Sequence, residues 1–522
     1  MIGPRVITDP LGGSSLSVAV QAAALDASVT PRVPAGVDAW RRQVKSVAGS
    51  SAKGWFGVLR EAFGPSGVAV ARLQRVVDTG GVVVTTGQQA GLFGGPVYTW
   101  SKAIGALALA DAIERETGVA VAPVFWAATD DADYAEASLT HLLINGVVER
   151  LKTERAPAPG TPMALAPLGD VRKLLTRLRE ACGSSAYEAA YAAAADEYRD
   201  GVTVGAAYVS LLRALLDPLG IAVLDSSHVA VRAAGGPLMR SALEHARDVG
   251  AALNARRDWL RSAGYEPQVA DVAGLSTVFV HEAGLKRRVP IAESAAVLHA
   301  AKPDALSPNV LLRPVMERAI LPTVAYVAGP GELAYFAQVS AVAGGLGAAQ
   351  PLAVPRWSCT IVEPAVDRAL TRLGIGLDDI RDADAVAGRV ARGAVPDDVQ
   401  RALAELRAAI HTGTSILATT DAAASAGRLL RPEIVEGLDR QLGFRLDRLE
   451  RRLLAAAKRR GSDGLRDLHL ARAAIWPDGA RQERTLNFIP FLARYGDGLW
   501  ARMREGADAH AASLLGRSTS GG

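Results

Sequence analysis

Between Val82 and Lys102 the chain reads VVVTTGQQAGLFGGPVYTWSK. A β-branched run ends in Thr85-Thr86, glycines stand at 87, 91, 94 and 95, and Pro96 opens the helical pattern YTWSKAIGALALADAIERETG. Strand, glycine loop and helix is how a Rossmann-like sheet presents a ligand site. Gly87, Gly91, Gly94 and Gly95 would let backbone approach a ligand, and the first helical amides would face an anion. Gln88, Gln89, Tyr98, Thr99 and Lys102 add polar groups to the turn. Lys102, in the second helical turn, is placed to stabilise negative charge developing on an acyl oxygen. The spacing is neither the dinucleotide fingerprint nor a P-loop, because Pro96 stands where the P-loop needs lysine. Tyr98 and Lys102 imitate the Tyr-x-x-x-Lys pair of short-chain dehydrogenases, but in the wrong helix. A tight turn that holds no ligand is the alternative.

Three further blocks bear chemistry. Thr129-Asp130-Asp131-Ala132-Asp133-Tyr134-Ala135-Glu136 follows the apolar run VAVAPVFWAA. Carboxylates there sit where open α/β sheets bind ligands, and acids so close need a cation, an amine or a proton between them. Asp130, Asp131 or Asp133 would hold an amine or act as general base, and Trp126 would supply an apolar wall. A solvated acidic turn is the plainer reading. In Ser307-Pro308-Asn309-Val310-Leu311-Leu312-Arg313-Pro314, a rigid loop would hold the Arg313 guanidinium for a carboxylate, with Ser307 and Asn309 beside it; a buried structural ion pair competes with this. Tyr326-Val327-Ala328-Gly329-Pro330-Gly331-Glu332, followed by Tyr335, repeats strand, glycine turn and helix start. Glu332 suits the first helical turn on dipole grounds and equally suits a catalytic role. Arg356, Asn487 and Tyr495 are weaker candidates.

The elements that must position these groups alternate. Residues 119–128, 220–227 and the run around Tyr326 read as strands buried on both faces. Residues 37–78 read as helical, 146–216 as Ala-rich and helical with a proline break, 228–262 as a helix pair, and 275–282 with 285–291 as a hairpin at Gly284. Strands alternating with helices argue for a parallel α/β sheet. After about 375 the character changes. Val399, Leu403, Leu406, Ile410 and Leu417 take near-heptad steps. Pro432 suits a first helical position, and Val435, Leu438, Leu442, Leu446, Leu449 and Leu453 form a stripe, with Asp447 and Arg451 as an i,i+4 pair. Two helices able to form an antiparallel coiled coil follow, or two ordinary amphipathic helices packed on the core. The expected organisation is a Rossmann-like core over 1–375 with insertions at about 146–216 and 228–300, a coiled-coil arm over 376–465, and a C-terminal segment, 466–522, packing back on the core.

The whole-chain numbers fit a soluble globular protein. The 522 residues suffice for two or more cores, with 49% hydrophobic and 21% charged residues. Fifty-eight cations face 54 anions, a net charge of +4 without a basic run, so nucleic acid is not implied. The two cysteines, Cys182 and Cys359, form neither a disulfide framework nor a zinc site, and no metal is expected. Pro4, Asp9 and Pro10 interrupt any signal-peptide core, and no apolar run spans a bilayer, so the expected location is the cytoplasm, away from membranes.

Together TTGQQAGLFGGPVYTWSKA, APVFWAATDDADYAEA, LSPNVLLRPVMERAILPTVAYVAGPGELAYFAQ and LNFIPFLARYG resemble BshC, the cysteine-adding family of bacillithiol biosynthesis, in the same order over about 82–495. The resemblance implies a Rossmann-like core with connecting-peptide insertions, similar to class I aminoacyl-tRNA synthetases, and a coiled coil that makes a homodimer. It implies a ligase joining L-cysteine by an amide bond to the amino group of glucosaminyl-malate. ATP or ADP enters by the same likeness, with Asn487 and Tyr495 as nucleotide contacts. The chain departs from the family at Ala132, where histidine is usual, and it lacks the synthetase signatures His-x-Gly-His and Lys-Met-Ser-Lys-Ser. A nucleotide-dependent oxidoreductase and a non-catalytic metabolite-binding dimer remain the alternatives.

Overall fold

A computed structural model describes residues 3–50, 52–64, 67–154, 156–184, 187–270, 272–393, 395–422, 429–460 and 462–517. Five strands form an all-parallel sheet: β1 (Val82–Gln89), β2 (Val121–Ala128), β3 (Ala222–Asp225), β4 (Thr323–Ala328) and β5 (Ala353–Pro355). Their order, β3-β2-β1-β4-β5, is that of the Rossmann sheet, with its reversal between β1 and β4.

Side chains alternate across a strand, so β1 feeds two cores. Val82 and Val84 join one cluster with Trp100, Ile104 and Phe125, while Val83 joins another with Val124, Trp126 and Leu224. Burial on both faces is why these strands are continuous apolar runs rather than alternating ones. On the first face lies α1 (Val97–Thr117), buried almost all round and therefore without an amphipathic stripe. The opposite core takes residues from α2 (Val229–Glu244), α3 (Arg313–Ile320) and α4 (Pro330–Gly345). A three-stranded antiparallel sheet, Leu285–Pro290, Leu275–Glu282 and Leu306–Pro308, packs near α2.

Two local expectations change. Residues 37–78 divide into three helices, Val37–Gly49, Trp55–Phe63 and Val68–Thr79, the second and third each preceded by a glycine at positive φ. The stretch read as helical from 146 begins inside an antiparallel hairpin, Leu139–Ile144 with Val147–Lys152. Its turn is Asn145-Gly146, with φ of 51° and 79°, a sequence suited to a tight two-residue hairpin loop.

Residues up to Ile361 together with those from Arg481 onward form one compact unit, and Val362–Ala480 a second. The helical unit is thus longer than 376–465. Helix Pro364–Leu373 buries Val366, Ala369 and Leu370, packs along Ser462–Ile475 and carries the Arg372–Asp467 ion pair (2.6 Å). Its two long helices, α5 (Asp397–Ala422) and α6 (Pro432–Arg460), run antiparallel. Arg407 bridges to Asp447 (2.8 Å) and Glu450 (3.0 Å), and Thr414 donates to Asp439 (2.7 Å). Asp447 therefore pairs across the helices rather than with Arg451, whose Nε reaches only the Asp447 carbonyl (3.3 Å). No described helix is long and apolar enough to cross a membrane. The final helix, α7 (Ile489–Leu514), returns to pack along α1.

Candidate active site

The carboxyl ends of β1 and β4 flank the point where strand order reverses, the usual ligand crevice of such sheets. Lys102 from α1 and Glu332 from α4 meet there, Nζ to Oε2 at 2.5 Å, their side chains 4% and 16% exposed. Glu332 sits three residues after Gly329 and accepts that residue's N–H (2.6 Å), so the helix start itself fixes the carboxylate. Lys102 also donates to the Gly87 carbonyl (2.9 Å) and to Gln88 Oε1 (3.0 Å), giving its ammonium three acceptors. Burial draws Lys102 below the ordinary lysine value, against the pull of Glu332. Burial works to raise Glu332, but the Lys102 charge and hydrogen bonds from Lys102, Tyr326 and Gly329 hold it below the usual carboxylate range.

The network continues from Glu332. Tyr326 donates to its Oε1 (2.6 Å) and accepts from Arg313 (3.1 Å), which also donates to Tyr335 (3.2 Å). Arg313 opens α3 rather than lying in a rigid loop, because Asn309 Oδ1 accepts the Leu311 and Leu312 N–H groups (3.1 and 2.9 Å) and turns the chain into the helix. One turn on, Glu317 accepts from Arg313 (2.9 Å) and from Thr85, and is fully buried. Burial pushes Glu317 up to about 7, with Arg313 and Thr85 opposing. Sequence reasoning missed this acid; the signal was its i,i+4 spacing from Arg313 in an otherwise apolar segment.

The glycine loop behaves differently from the expected cradle. Tyr198 donates to the Gly91 carbonyl (3.0 Å) and accepts from the Gly94 N–H (3.3 Å). Asn487 donates to the Leu92 and Phe93 carbonyls (3.1 Å each), and the Val97 N–H bonds the Leu486 carbonyl (3.0 Å). A Cβ on Gly91 would lie 2.8 Å from Gly95 Cα, and one on Gly94, at φ +80°, 2.6 Å from Trp100. These glycines serve the approach of protein to protein. Thr99 is buried, its N–H bonded to the Pro96 carbonyl, and Tyr495 packs on the core beside α1. The polar face left near Lys102 is Gln88 and Tyr98, joined at 2.8 Å. The Tyr98 ring faces three cations, Arg484 (5.7 Å), Arg356 (5.9 Å) and Lys102 (6.0 Å). Arg484 is exposed and was missed; Arg356 is held bidentately by Glu483 (2.7 and 2.6 Å), both 2% exposed. Gly331 is exposed in the first turn of α4. Trp126 is buried below Gly87, and its indole N–H has no partner among the described residues.

The acids after β2 have separate roles. Asp130 accepts from Ser226 (2.6 Å) and pairs with Lys286 (3.3 Å); burial opposes its ionisation, but Lys286 and Ser226 hold it below the ordinary range. Asp131 accepts from Gln89 and from the Ala132 N–H (2.6 Å). Asp133 is exposed and caps the short helix Tyr134–Ala137 through the Glu136 N–H (3.2 Å). Among the described residues no group of His, Cys, Asp and Glu could hold a metal ion. Ser307 is buried and bonded to His281 (2.8 Å).

This is a Rossmann-like α/β protein with a buried network of charged groups at the switch point of its sheet and a second, helical unit. Residues 59–357 match the family described as "Bacillithiol biosynthesis BshC, N-terminal Rossmann-like domain", and 359–513 match its "C-terminal coiled-coil domain". Relatives named "Putative cysteine ligase BshC" are 32% identical over 461 residues in Koribacter versatilis, covering 84% of each chain, and 31% over 453 in Solibacter usitatus, covering 83% of each. One from Salinibacter ruber is 30% identical over 464 residues, covering 83% of this chain and 82% of its own. The chain belongs to the BshC family, a family of ligases in bacillithiol biosynthesis.

Proposed function

We propose that the protein joins L-cysteine through an amide bond to the amino group of glucosaminyl-malate. The observation that carries this reading is the Lys102–Glu332 pair, buried at the switch point of a chain that belongs to the BshC family. Amide formation needs an activated carboxyl group, an unprotonated amine and stabilisation of the negative charge that develops on the acyl oxygen. Lys102, its proton weakened by burial and shared with Glu332, is suited to meet that charge or pass a proton across the reacting atoms. Arg313 and the tyrosines it binds would hold Glu332 in place, and Asp131 would face the substrate ammonium, since Lys286 already matches Asp130. In this reading ATP supplies activation of the cysteine carboxyl group, and Gly331, exposed in the first turn of α4 next to Glu332, would offer its N–H to a phosphate.

The same reading places the enzyme in the cytoplasm as a homodimer built on the helical unit. Incubation of the full-length protein with cysteine, glucosaminyl-malate and ATP should give one product, heavier than glucosaminyl-malate by a cysteinyl residue, as read by mass. A product without ATP would remove the nucleotide, and no product under any condition would remove the ligase assignment.

A further inference from the structure

A lysine ammonium has three N–H donors, and for Lys102 the structure gives each an acceptor: Glu332 Oε2 (2.5 Å), the Gly87 carbonyl (2.9 Å) and Gln88 Oε1 (3.0 Å). A substrate oxygen can meet this ammonium only by taking the place of one of them. Two are fixed. The Gly87 carbonyl belongs to the backbone of β1, where Gly87 stands in register with Trp126 of β2. Glu332 is tied by the Gly329 N–H and by the Tyr326 hydroxyl, each at 2.6 Å.

Gln88 is the acceptor that can move. It is half-buried near the end of β1. Because an ammonium only donates, Gln88 must turn its oxygen to Lys102, which leaves its Nε2 to donate outward to the Tyr98 hydroxyl (2.8 Å). That hydroxyl makes only a long bond to exposed Glu136 (3.4 Å), so the chain holding the amide ends loosely at solvent. A neutral amide oxygen is also a weaker partner for an ammonium than a carboxylate oxygen, whose charge-assisted bond is roughly twice as strong. The surrounding charge favours an anion. Lys102, Arg356 and Arg484 lie 6.0, 5.9 and 5.7 Å from the centre of the Tyr98 ring. Lys102 and Arg356 have acids of their own, Glu332 and Glu483. Arg484 is exposed and has no hydrogen bond or ion pair among the described residues.

We infer that the place of Gln88 Oε1 is the binding place of a ligand carboxylate oxygen, and that Gln88 is the residue the ligand displaces to reach Lys102. Until the ligand arrives the amide keeps the buried ammonium satisfied, which an empty place would not. On binding, a neutral acceptor gives way to a charged one on a proton already aimed at it, so Lys102 need not move. The candidate ligands rest on the function proposed above, where two substrates bring carboxylates: the malyl group of one and the α-carboxylate of cysteine.

The test reads binding without turnover. Full-length wild type, Gln88→Ala and Gln88→Glu are titrated calorimetrically at pH 7, without nucleotide, with L-cysteine, with L-malate and, as a control lacking the carboxylate, with L-cysteinamide. Gln88→Ala has no amide to displace and should bind one or both carboxylates at least ~3-fold more tightly, with the affinity for L-cysteinamide not raised. Gln88→Glu keeps a carboxylate on Lys102 permanently and should lose at least ~10-fold in affinity for the same ligand, because like charges compete for one place. The ligand that responds names the source of the carboxylate. A Gln88 that holds the ligand directly, or only supports the fold, would weaken binding in both variants. That result, wild-type affinities in both variants, or no binding of either carboxylate by the wild type would overturn the inference. Should a variant fail to fold, a crystal structure of the wild type with the bound carboxylate decides. A ligand oxygen within ~3.2 Å of Lys102 Nζ, with Gln88 turned away, supports the inference, and Gln88 still bonded to Lys102 overturns it. A failed ligase assay with this binding pattern intact would remove the ligase and keep the carboxylate site.

Discussion

A lysine on a glycine-loop helix reads in the sequence as a mobile point charge, and Lys102→Ala would then harm turnover but not folding. The fold makes it a different residue: 3% exposed, with three acceptors, Glu332 among them at 2.5 Å. Removing one partner of a buried ion pair leaves the other charge uncompensated, which costs about 3–5 kcal/mol. Lys102→Ala should therefore lower stability in urea by an amount of that order as well as turnover by at least ~10-fold. Lys102→Met combined with Glu332→Gln should recover much of the stability and none of the activity. A melting curve for Lys102→Ala that overlays the wild type would mean the pair is not formed in solution. His281 gives a second prediction. Its folded pKa, lowered by burial to about 4, lies below the ordinary 6.5, so between these values the unfolded chain binds more protons. Its contribution to stability is complete above pH 6.5 and is lost as pH falls toward 4. Denaturation at stepped pH should show the wild type losing stability over that window more steeply than His281→Gln; parallel slopes would place His281 in solvent.

At the scale of elements, the glycine loop and the acidic block show what a sequence hides. Strands β2 and β4 were legible because burial on both faces writes itself as an apolar run, and β1 because its β-branched run stops at the glycine loop. The Asn145-Gly146 hairpin was missed, although the sequence carries its turn signal, because the alanine-rich stretch after it drew the reading toward helix. The glycine loop was not legible: the groups that close it, Tyr198 and Asn487, lie 107 and 395 residues downstream of the atoms they bind, and no local spacing reports them. The acids fared likewise, since the Asp130 partners Ser226 and Lys286 lie 96 and 156 residues away. Lys102 and Glu332 were each singled out, but their contact was visible only once β1 and β4 were neighbours. Asn487 now carries a prediction of its own. It donates to two loop carbonyls and to Thr140 and accepts the Ile489 N–H, all buried. Leaving those groups unpaired at about 1–3 kcal/mol apiece, Asn487→Ala should lower the melting temperature strongly and loosen amide-exchange protection at Leu92–Val97. A nucleotide contact alone would instead leave stability unchanged and weaken only nucleotide binding.

At the scale of the molecule, the open issue is what covers the helical unit. The stripe read along α6 resolves into two. Val435 and Leu446 are buried, eleven residues apart and so on one face at 3.6 residues per turn. Leu442 and Leu453 are half-buried beside them. A second line, Ile434, Leu438 and Leu449, spans about 60° of the helix on the same arithmetic and is 57%, 41% and 46% exposed. Phe444 on α6 and Leu406, Ile416 and Leu417 on α5 add further exposed apolar surface. Exposed apolar surface gathered on one unit marks an association site more often than an ordinary solvent face, and a second copy of the same unit is the occupant proposed above. Leu438→Lys with Leu449→Lys should then convert a micromolar dimer into a monomer in sedimentation velocity. The melting temperature measured at dilution should change little, because both side chains are exposed in the single chain. A wild type already monomeric at micromolar concentration would refute the dimer. A dimer that survives both lysines would move the interface to another face and leave the second apolar line unexplained.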